Sequence, residues 1–362
     1  MKTLPFTRGV PDDESYPLEE VAQCAQAVLS GPLALETMRY GTGHGFGPLR
    51  ELLADRNKVK LENVLVGNGS LSFIDLMGVS TLKSGDTVFV ESPTYDRVLT
   101  LFRRHGIQVV GLPLESDGIR IEDLERELER VKPKLVYLIA DFQNPSGATL
   151  SLEKRKAVLE LADQHGFFVL EDAPYRPLRY WGQDVPSLFD LNPERVMQMS
   201  SYTKQISPGV RVGTLMGPSS LLNPIAQAAN DTYISAAFVG QAMVYEFIRR
   251  GLLEPQLERL RQLYGPRLRA LLDSLERHLP DAQYLKPEGG FFLSLTLPKG
   301  ITGETLRRGA KDEALVLTDG RGFFPNPEDG DRFLRLPFCA LTPEELEDGV
   351  QRLARVVNRP LS

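Results

Sequence analysis

The sequence predicts an α/β protein of two domains: a three-layer α/β/α larger domain around a mostly parallel sheet, and a smaller α+β domain toward the C-terminus. Apolar runs of strand length alternate with helical patterns through the middle of the chain, the rhythm of a parallel sheet covered on both faces. Beyond residue 217 that rhythm gives way to long helical stretches, and short apolar runs return only near the end. A length of 362 residues is too great for one small core and suits a large domain with a smaller companion.

Taken in order, PLEEVAQCAQAVLS (17–30) reads as a helix, expected to join the smaller domain with the rest of residues 1–35. The larger domain is expected over 36–255, with strands DTVFVE (86–91), IQVVGLP (107–113), KLVYLIAD (134–141), FFVLED (167–172), RVMQMSS (195–201) and VGTLMG (212–217). Helices YDRVLTLFRRHG (95–106), IEDLERELERVK (121–132) and SLEKRKAVLELADQHG (151–166) separate most of them, the last opening on Ser151 as N-cap and closing on Gly166. Long helices are expected over 219–250 and 253–278, the second with charges spaced i, i+4 on a solvated face. The small domain, 256–362, is expected to hold a sheet of GGFFLSLTL (289–297), ALVLTDG (314–320) and DRFLRLPF (331–338), followed by the amphipathic helix TPEELEDGVQRLARVV.

Composition narrows the function classes. A hydrophobic fraction of 42% and a charged fraction of 25% are those of a soluble globular protein, and no apolar run approaches the roughly 20 residues of a membrane span. The N-terminal MKTLPFTRGVPDDESYP has no apolar core of a secretion signal, so a cytoplasmic location is expected. Cys24 and Cys339 stand alone, without metal-binding spacing, and are expected to be packed thiols. A net charge of −6 with dispersed Lys and Arg gives no basic stripe, and no nucleic-acid partner is expected.

In open parallel sheets ligands bind beyond the carboxyl ends of the strands, so the residues following each apolar run are the candidates for chemistry. VGNGSLSFIDL (66–76) sets Gly69 and Ser70 before a helix, where close backbone approach and free N–H groups favour an anion. Tyr95, in ESPTYDRV, could cover a flat ligand. Asn144, in DFQNPSG, can donate to a phenolic oxygen. FFVLEDAPY ends a buried strand on Asp172, with Tyr175 three residues on. A carboxylate placed there must find a cation or a donor. SSYTKQISPGVRVG (200–213) adds hydroxyls including Ser201, then Lys204, then Arg211 with its planar fork. In a pocket of low dielectric beside another cation, the pKa of Lys204 would fall, making its amine a nucleophile toward an aldehyde. Each of these has a plain reading as well: a turn, a packed ring, a solvated lysine. As a set they match the phosphate, ring, phenolic oxygen, ring nitrogen and aldehyde of pyridoxal 5'-phosphate.

On these motifs the sequence resembles the fold-type I pyridoxal-phosphate-dependent aminotransferases of class I/II. It is most similar to the subgroup that includes 2-aminoadipate, kynurenine and multisubstrate aromatic or branched-chain aminotransferases. The likeness runs along the whole chain, through RGVPDDESYP (8–17), RYGTGHGFGPLRELLA (39–54), NPSGATLS, EDAPYRPLRY, SSYTKQISPGVRVG and RLPFCALTPEEL (335–346). It implies amino-group transfer from an L-amino acid to a 2-oxo acid through a Schiff base on Lys204, which also shuttles the substrate's proton. It further implies Asp172 on the ring nitrogen, Asn144 and Tyr175 on the phenolic oxygen, and Tyr95 stacked on the ring. Gly69, Ser70, Ser201 and Arg211 would hold the phosphate, and Arg335 the substrate α-carboxylate, beside Asn144. A homodimer is implied, with Tyr40 reaching the partner's cofactor and TYISAAFVGQ (232–241) near the shared surface.

The chain departs from the pattern at Leu71, where relatives often carry Gln after the phosphate-loop serine, and at Arg8-Gly9, where a Gly-Gly pair is usual. Arg8 is expected to face solvent, and His44 and Phe46 to border the partner's site. The alternatives are another reaction on the same cofactor, as β-lyase, decarboxylase or oxidase, and a ligand-sensing module without catalysis. Fold and motif do not separate the first of these from transamination.

Overall fold

A computed structural model describes residues 1–7 and 9–358, so the expectation for Arg8 lies outside the described residues. Among them, apolar runs form β1 (Leu4–Phe6), β2 (Val64–Gly67), β3 (Thr87–Ser92), β4 (Gln108–Glu115), β5 (Gly118–Ile119), β6 (Leu135–Leu138), β7 (Phe168–Asp172), β8 (Val196–Ser201), β9 (Gly213–Met216), β10 (Gln283–Tyr284), β11 (Phe292–Thr296), β12 (Leu315–Leu317) and β13 (Phe333–Pro337). One sheet has the order β2-β9-β8-β7-β6-β3-β4-β5. Within it β4, β3, β6, β7 and β8 are parallel neighbours, while β9 runs antiparallel to both β8 and β2, and β5 to β4.

Parallel neighbours need long crossovers, and helices supply them. Asp96–Arg104 joins β3 to β4, and Leu152–His165 joins β6 to β7. The second helix starts as expected, with the Ser151 side chain accepting from Lys154 N, and ends on Gly166 at φ 73. Alternation along the strands then sorts side chains between two cores. Val88, Val90, Tyr137, Leu170, Met197 and Leu215 pack with Phe73, Val98, Phe102 and Ile225 on one face. Phe89, Val136, Leu138, Val169 and Val196 pack with Val158, Ala162, Val244 and Phe247 on the other. Both faces are covered, which is why these strands read as continuous apolar runs.

The smaller unit has its own core, built from Leu268, Leu271, Leu275, Leu293, Leu336, Leu346 and Leu353. Its sheet has the order β10-β11-β13, all antiparallel. The run 314–320 was expected to belong to that sheet. Instead β12 pairs in parallel with β1, because Leu4 and Phe6 turn inward together with Leu315 and Leu317 to close the same core. The first 35 residues are divided: β1 sits with the small core, whereas Cys24 and Val28 of helix Leu18–Ser30 are buried in the large one. Helix Leu253–His278 serves both cores, contributing Leu253, Leu257, Leu260 and Tyr264 to the large and Leu268, Leu271 and Leu275 to the small.

The helix expected over 219–250 is two, Ser219–Tyr233 and Phe238–Arg249. Ile234 leaves the helical region at φ 66, and Ala237 N donates to Asn68 Oδ1 at 3.1 Å across the break. Cys24 and Cys339 are buried free thiols, as expected. No helix among the described residues is long and apolar enough to cross a membrane.

Candidate active site

The site follows from strand direction. Strands β3, β6, β7 and β8 are parallel and end at one mouth, and β2, twice reversed through β9, ends there too. Because β9 runs the other way, Arg211 just before it arrives at the same mouth. A cavity of ≈ 180 Å³ opens there, lined by Gly69, Ser70, Tyr95, Asn144, Asp172, Tyr175, Ser201, Lys204 and Arg211, with Leu71, Ile139, Pro174 and Thr203. A larger groove of ≈ 610 Å³, which gathers Glu115, Glu328, Asp329 and Asp331 beside Arg332, contains none of the expected residues.

The stretch SSYTKQISPGVRVG folds back on itself. Tyr202 O accepts from Gln205 N and Ile206 N, and Ser207 Oγ accepts from Gly209 N at 3.1 Å, opening a short 3₁₀ turn over Pro208–Val210. Lys204 and Arg211 thereby enter one cavity from the two ends of a loop. Arg211 holds φ 51, a left-handed conformation that costs a non-glycine residue about 1 kcal/mol or more. Its Nη2 donates to Asn68 O at 3.3 Å. Opposite it, Gly69 lies at φ 87, and a Cβ there would stand 2.7 Å from Arg211 Nη2, so only glycine lets the guanidinium come this close. Ser70 occupies the N-cap position of helix Leu71–Ser80 but makes no side-chain cap bond, which leaves its hydroxyl to the cavity.

Lys204 is enclosed, and its Nζ donates to Gly9 O at 2.8 Å. Burial strips water from the ammonium and pulls its pKa down to about 8; Cys339 opposes this and Arg335 adds to it. Asp172 at the end of β7 accepts from Tyr137 Oη through Oδ2 at 2.6 Å, while its Oδ1 is buried without a partner. Burial raises this carboxyl to about 7, against the pull of the Tyr137 hydrogen bond.

Arg335 comes from β13 of the smaller unit and reaches the edge of the cavity. Its Nη1 donates to Asn144 Oδ1 at 2.9 Å and its Nη2 to Thr7 O at 2.7 Å, and its Nε is buried and unpaired. The guanidinium lies between the rings of Phe292 and Phe323, 4.6 and 4.5 Å from their centroids. Tyr175 meets Phe292 edge-on. Tyr40 is 85% exposed and does not line the cavity of its own chain. Several groups were not singled out from sequence: Tyr137, the aromatic pair around Arg335, and the carbonyls of Thr7 and Gly9. Tyr137 had one signal, a hydroxyl inside an otherwise apolar strand, where a buried phenol requires a partner.

Chemically, the mouth offers a buried amine of lowered pKa, a carboxylate with a free oxygen, a cationic cradle at a helix start and a second, stacked guanidinium. The chain matches the aminotransferase class I and II family over residues 2–353.

The chain belongs to the class I and II aminotransferases.

It is 35% identical to a 2-aminoadipate transaminase of Thermus thermophilus, over 98% of this chain and 90% of the relative. A solved alpha-aminoadipate aminotransferase from Thermus thermophilus, complexed with N-(5'-phosphopyridoxyl)-L-leucine, superposes with a TM-score of 0.92 at 33% identity, covering 98% of this chain and 92% of that one. Pyrococcus horikoshii kynurenine aminotransferase superposes at 0.95 with 31% identity, covering 100% of this chain and 92% of the other. This aminotransferase therefore has the fold-type I architecture, transfers amino groups and uses pyridoxal 5'-phosphate. The cavity fits that cofactor on two observations. The orphaned Asp172 Oδ1 awaits a donor such as a ring N–H, and the missing Cβ of Gly69 lets the Arg211 guanidinium close in on the start of the helix, where an anionic phosphate would sit.

Proposed function

We propose that the aminotransferase moves the amino group of an L-amino acid to a 2-oxo acid at this cavity, in a homodimer. The proximity of Lys204, Asp172 and the Gly69–Arg211 cradle within one cavity is the observation that supports the reading most strongly. When bound, pyridoxal 5'-phosphate supplies an electron sink for the substrate's Cα.

The chain's own residues do the rest. Lys204 anchors the cofactor and, as a neutral amine, takes the proton from the substrate's Cα. Asp172 holds a proton at the ring nitrogen. Asn144 and Tyr175 hold the phenolic oxygen, Tyr95 covers the ring, and Gly69, Ser70, Ser201 and Arg211 bind the phosphate. Arg335 clamps the α-carboxylate with its planar fork, and Asn144 beside it orients that group. The exposure of Tyr40 supports a role outside its own subunit, on the partner's cofactor phosphate, and the exposed Leu35, Met38 and Ile234 nearby in sequence or in the 232–241 segment suit a subunit contact. Residues 36–255 then bind cofactor, and 256–362 deliver Arg335.

An amino-acid panel offered with a 2-oxo acid acceptor tests the reaction. The expected outcome is one 2-oxo acid formed per amino acid produced from the acceptor. Free ammonia or oxygen uptake in place of that balance points to a lyase or an oxidase, and sedimentation as a monomer removes the dimer.

A further inference from the structure

Tyr137 is fully buried in the middle of β6, with its ring edge-on to Phe102. In the parallel register Tyr137 pairs with Leu170, and Leu170 and Asp172 share a face two residues apart, so Tyr137 and Asp172 emerge on the same side of the sheet. Its hydroxyl is aimed at the carboxylate and not into the cavity, and it donates to Oδ2 at 2.6 Å, the length of a charge-assisted bond. The other oxygen, Oδ1, is buried without a partner and belongs to a residue that lines the cavity.

We propose that Tyr137 is a positioning residue for the cofactor's ring nitrogen: its phenol ties down one oxygen of Asp172 and leaves the other as the acceptor for the ring N–H. This rests on the assignment of Asp172 given above. The bond acts in two ways. It fixes the carboxylate's rotation, and it favours the ionised form that the protonated ring requires, against a burial that pushes Asp172 up to about 7. The acids that face Asp172 are largely uncharged near neutral pH, so burial is what opposes that charge. Glu91 on β3 is a second buried carboxyl nearby, itself raised to about 8 by burial, and Tyr95 and Tyr175 face the same carboxylate as weak acids. The cations Lys204 and Arg211 line the cavity from its other walls. Tyr137 is the protein's hydrogen-bond donor to Asp172 among the described residues.

The test uses the full-length protein stripped of cofactor and titrated with pyridoxamine 5'-phosphate, which binds without a covalent link to Lys204, at several pH values from acid to alkaline. Tyr137→Phe keeps the ring against Phe102 and removes only the donor. Binding is expected to weaken about tenfold to a hundredfold near neutral pH, the worth of one hydrogen bond to a charged group. The acid limb of the binding profile is expected to move to higher pH, because a carboxyl without its donor ionises later, and affinity recovers as pH rises. In an Asp172→Asn background the same substitution should have no further effect. Equal affinity of Tyr137→Phe and wild type at every pH overturns the proposal, as does a loss that is the same at every pH or persists in Asp172→Asn. Unliganded melting temperatures separate these results from misfolding, and should the Phe variant melt early, Tyr137→Leu, which also lacks the donor, gives the same comparison. If Asp172→Asn itself leaves affinity unchanged, the assignment of Asp172 fails first, a different outcome from failure of Tyr137 alone.

Discussion

Replacing Arg335 by lysine keeps the charge and removes the fork. In the structure the guanidinium makes two hydrogen bonds, to Asn144 Oδ1 and Thr7 O, and lies between Phe292 and Phe323. A substrate carboxylate binding there would take two parallel donors and the stacked plane behind them. Lysine offers a point charge, so one charge-assisted bond, about 1.5–3 kcal/mol, and the stacking, about 0.5–2 kcal/mol, are lost. The sum, about 2–5 kcal/mol, corresponds to a fall of about 30- to 5000-fold in kcat/KM for the amino-acid half of the reaction. Single-turnover kinetics on the cofactor-loaded protein read this directly from the change in visible absorbance as amino acid is added. Cofactor affinity should stay near wild type, since Arg335 lies at the edge of the cavity and not in the phosphate cradle. A kcat/KM within about threefold of wild type refutes the carboxylate clamp, because no loss of a bidentate contact is so small.

Four further outcomes follow from the same geometry. The rate at which stripped protein couples with pyridoxal 5'-phosphate should climb as pH rises toward about 8 and level off above it, since a lowered lysine pKa means the neutral amine dominates above that value; a rate still climbing well above that pH contradicts the burial of Lys204. Gly69→Ala should weaken cofactor binding about 10- to 100-fold, because a Cβ 2.7 Å from Arg211 Nη2 displaces the guanidinium and forfeits a hydrogen bond to a charged group of about 1.5–3 kcal/mol, as read by equilibrium dialysis. Arg155→Met should lower stability by about 3–5 kcal/mol in thermal or urea unfolding, because Arg176 still reaches Asp141 at 3.3 Å but the carbonyls of Ala140, Leu150 and Pro186 lose the donors of Arg155. Ser151→Ala should cost about 1 kcal/mol by the same assay, through the lost cap on Leu152–His165, and leave turnover unchanged.

Much of the sheet was legible because its strands are buried on both faces: DTVFVE, KLVYLIAD, FFVLED and RVMQMSS announce themselves as continuous apolar runs. The site was legible for a related reason. Polar residues that interrupt such runs at their carboxyl ends stand out, and Asn144, Asp172, Ser201 and Lys204 do so. What escaped depends on partners remote in sequence. β1 is three residues long, and only its pairing with β12 makes it a strand. The break at Ile234 carries neither Gly nor Pro, and Asn68, far upstream, stabilises it by bonding Ala237 N. The change of core along Leu253–His278 falls at Gly265-Pro266, between Tyr264 and Leu268, a pair that signals a helix break or kink in sequence and says nothing of which core each half enters. Tyr137 reads as one more strand residue, because nothing local says that its hydroxyl meets Asp172 from the neighbouring strand.

The assignment of Lys204 as the cofactor's anchor has a direct test. Borohydride reduction of the loaded protein freezes the covalent link, and mass spectrometry of a tryptic digest then locates it. The label is expected on the peptide spanning residues 196–211, VMQMSSYTKQISPGVR, left uncut at Lys204. A label on any other lysine, or none on a protein that takes up the cofactor, contradicts the account.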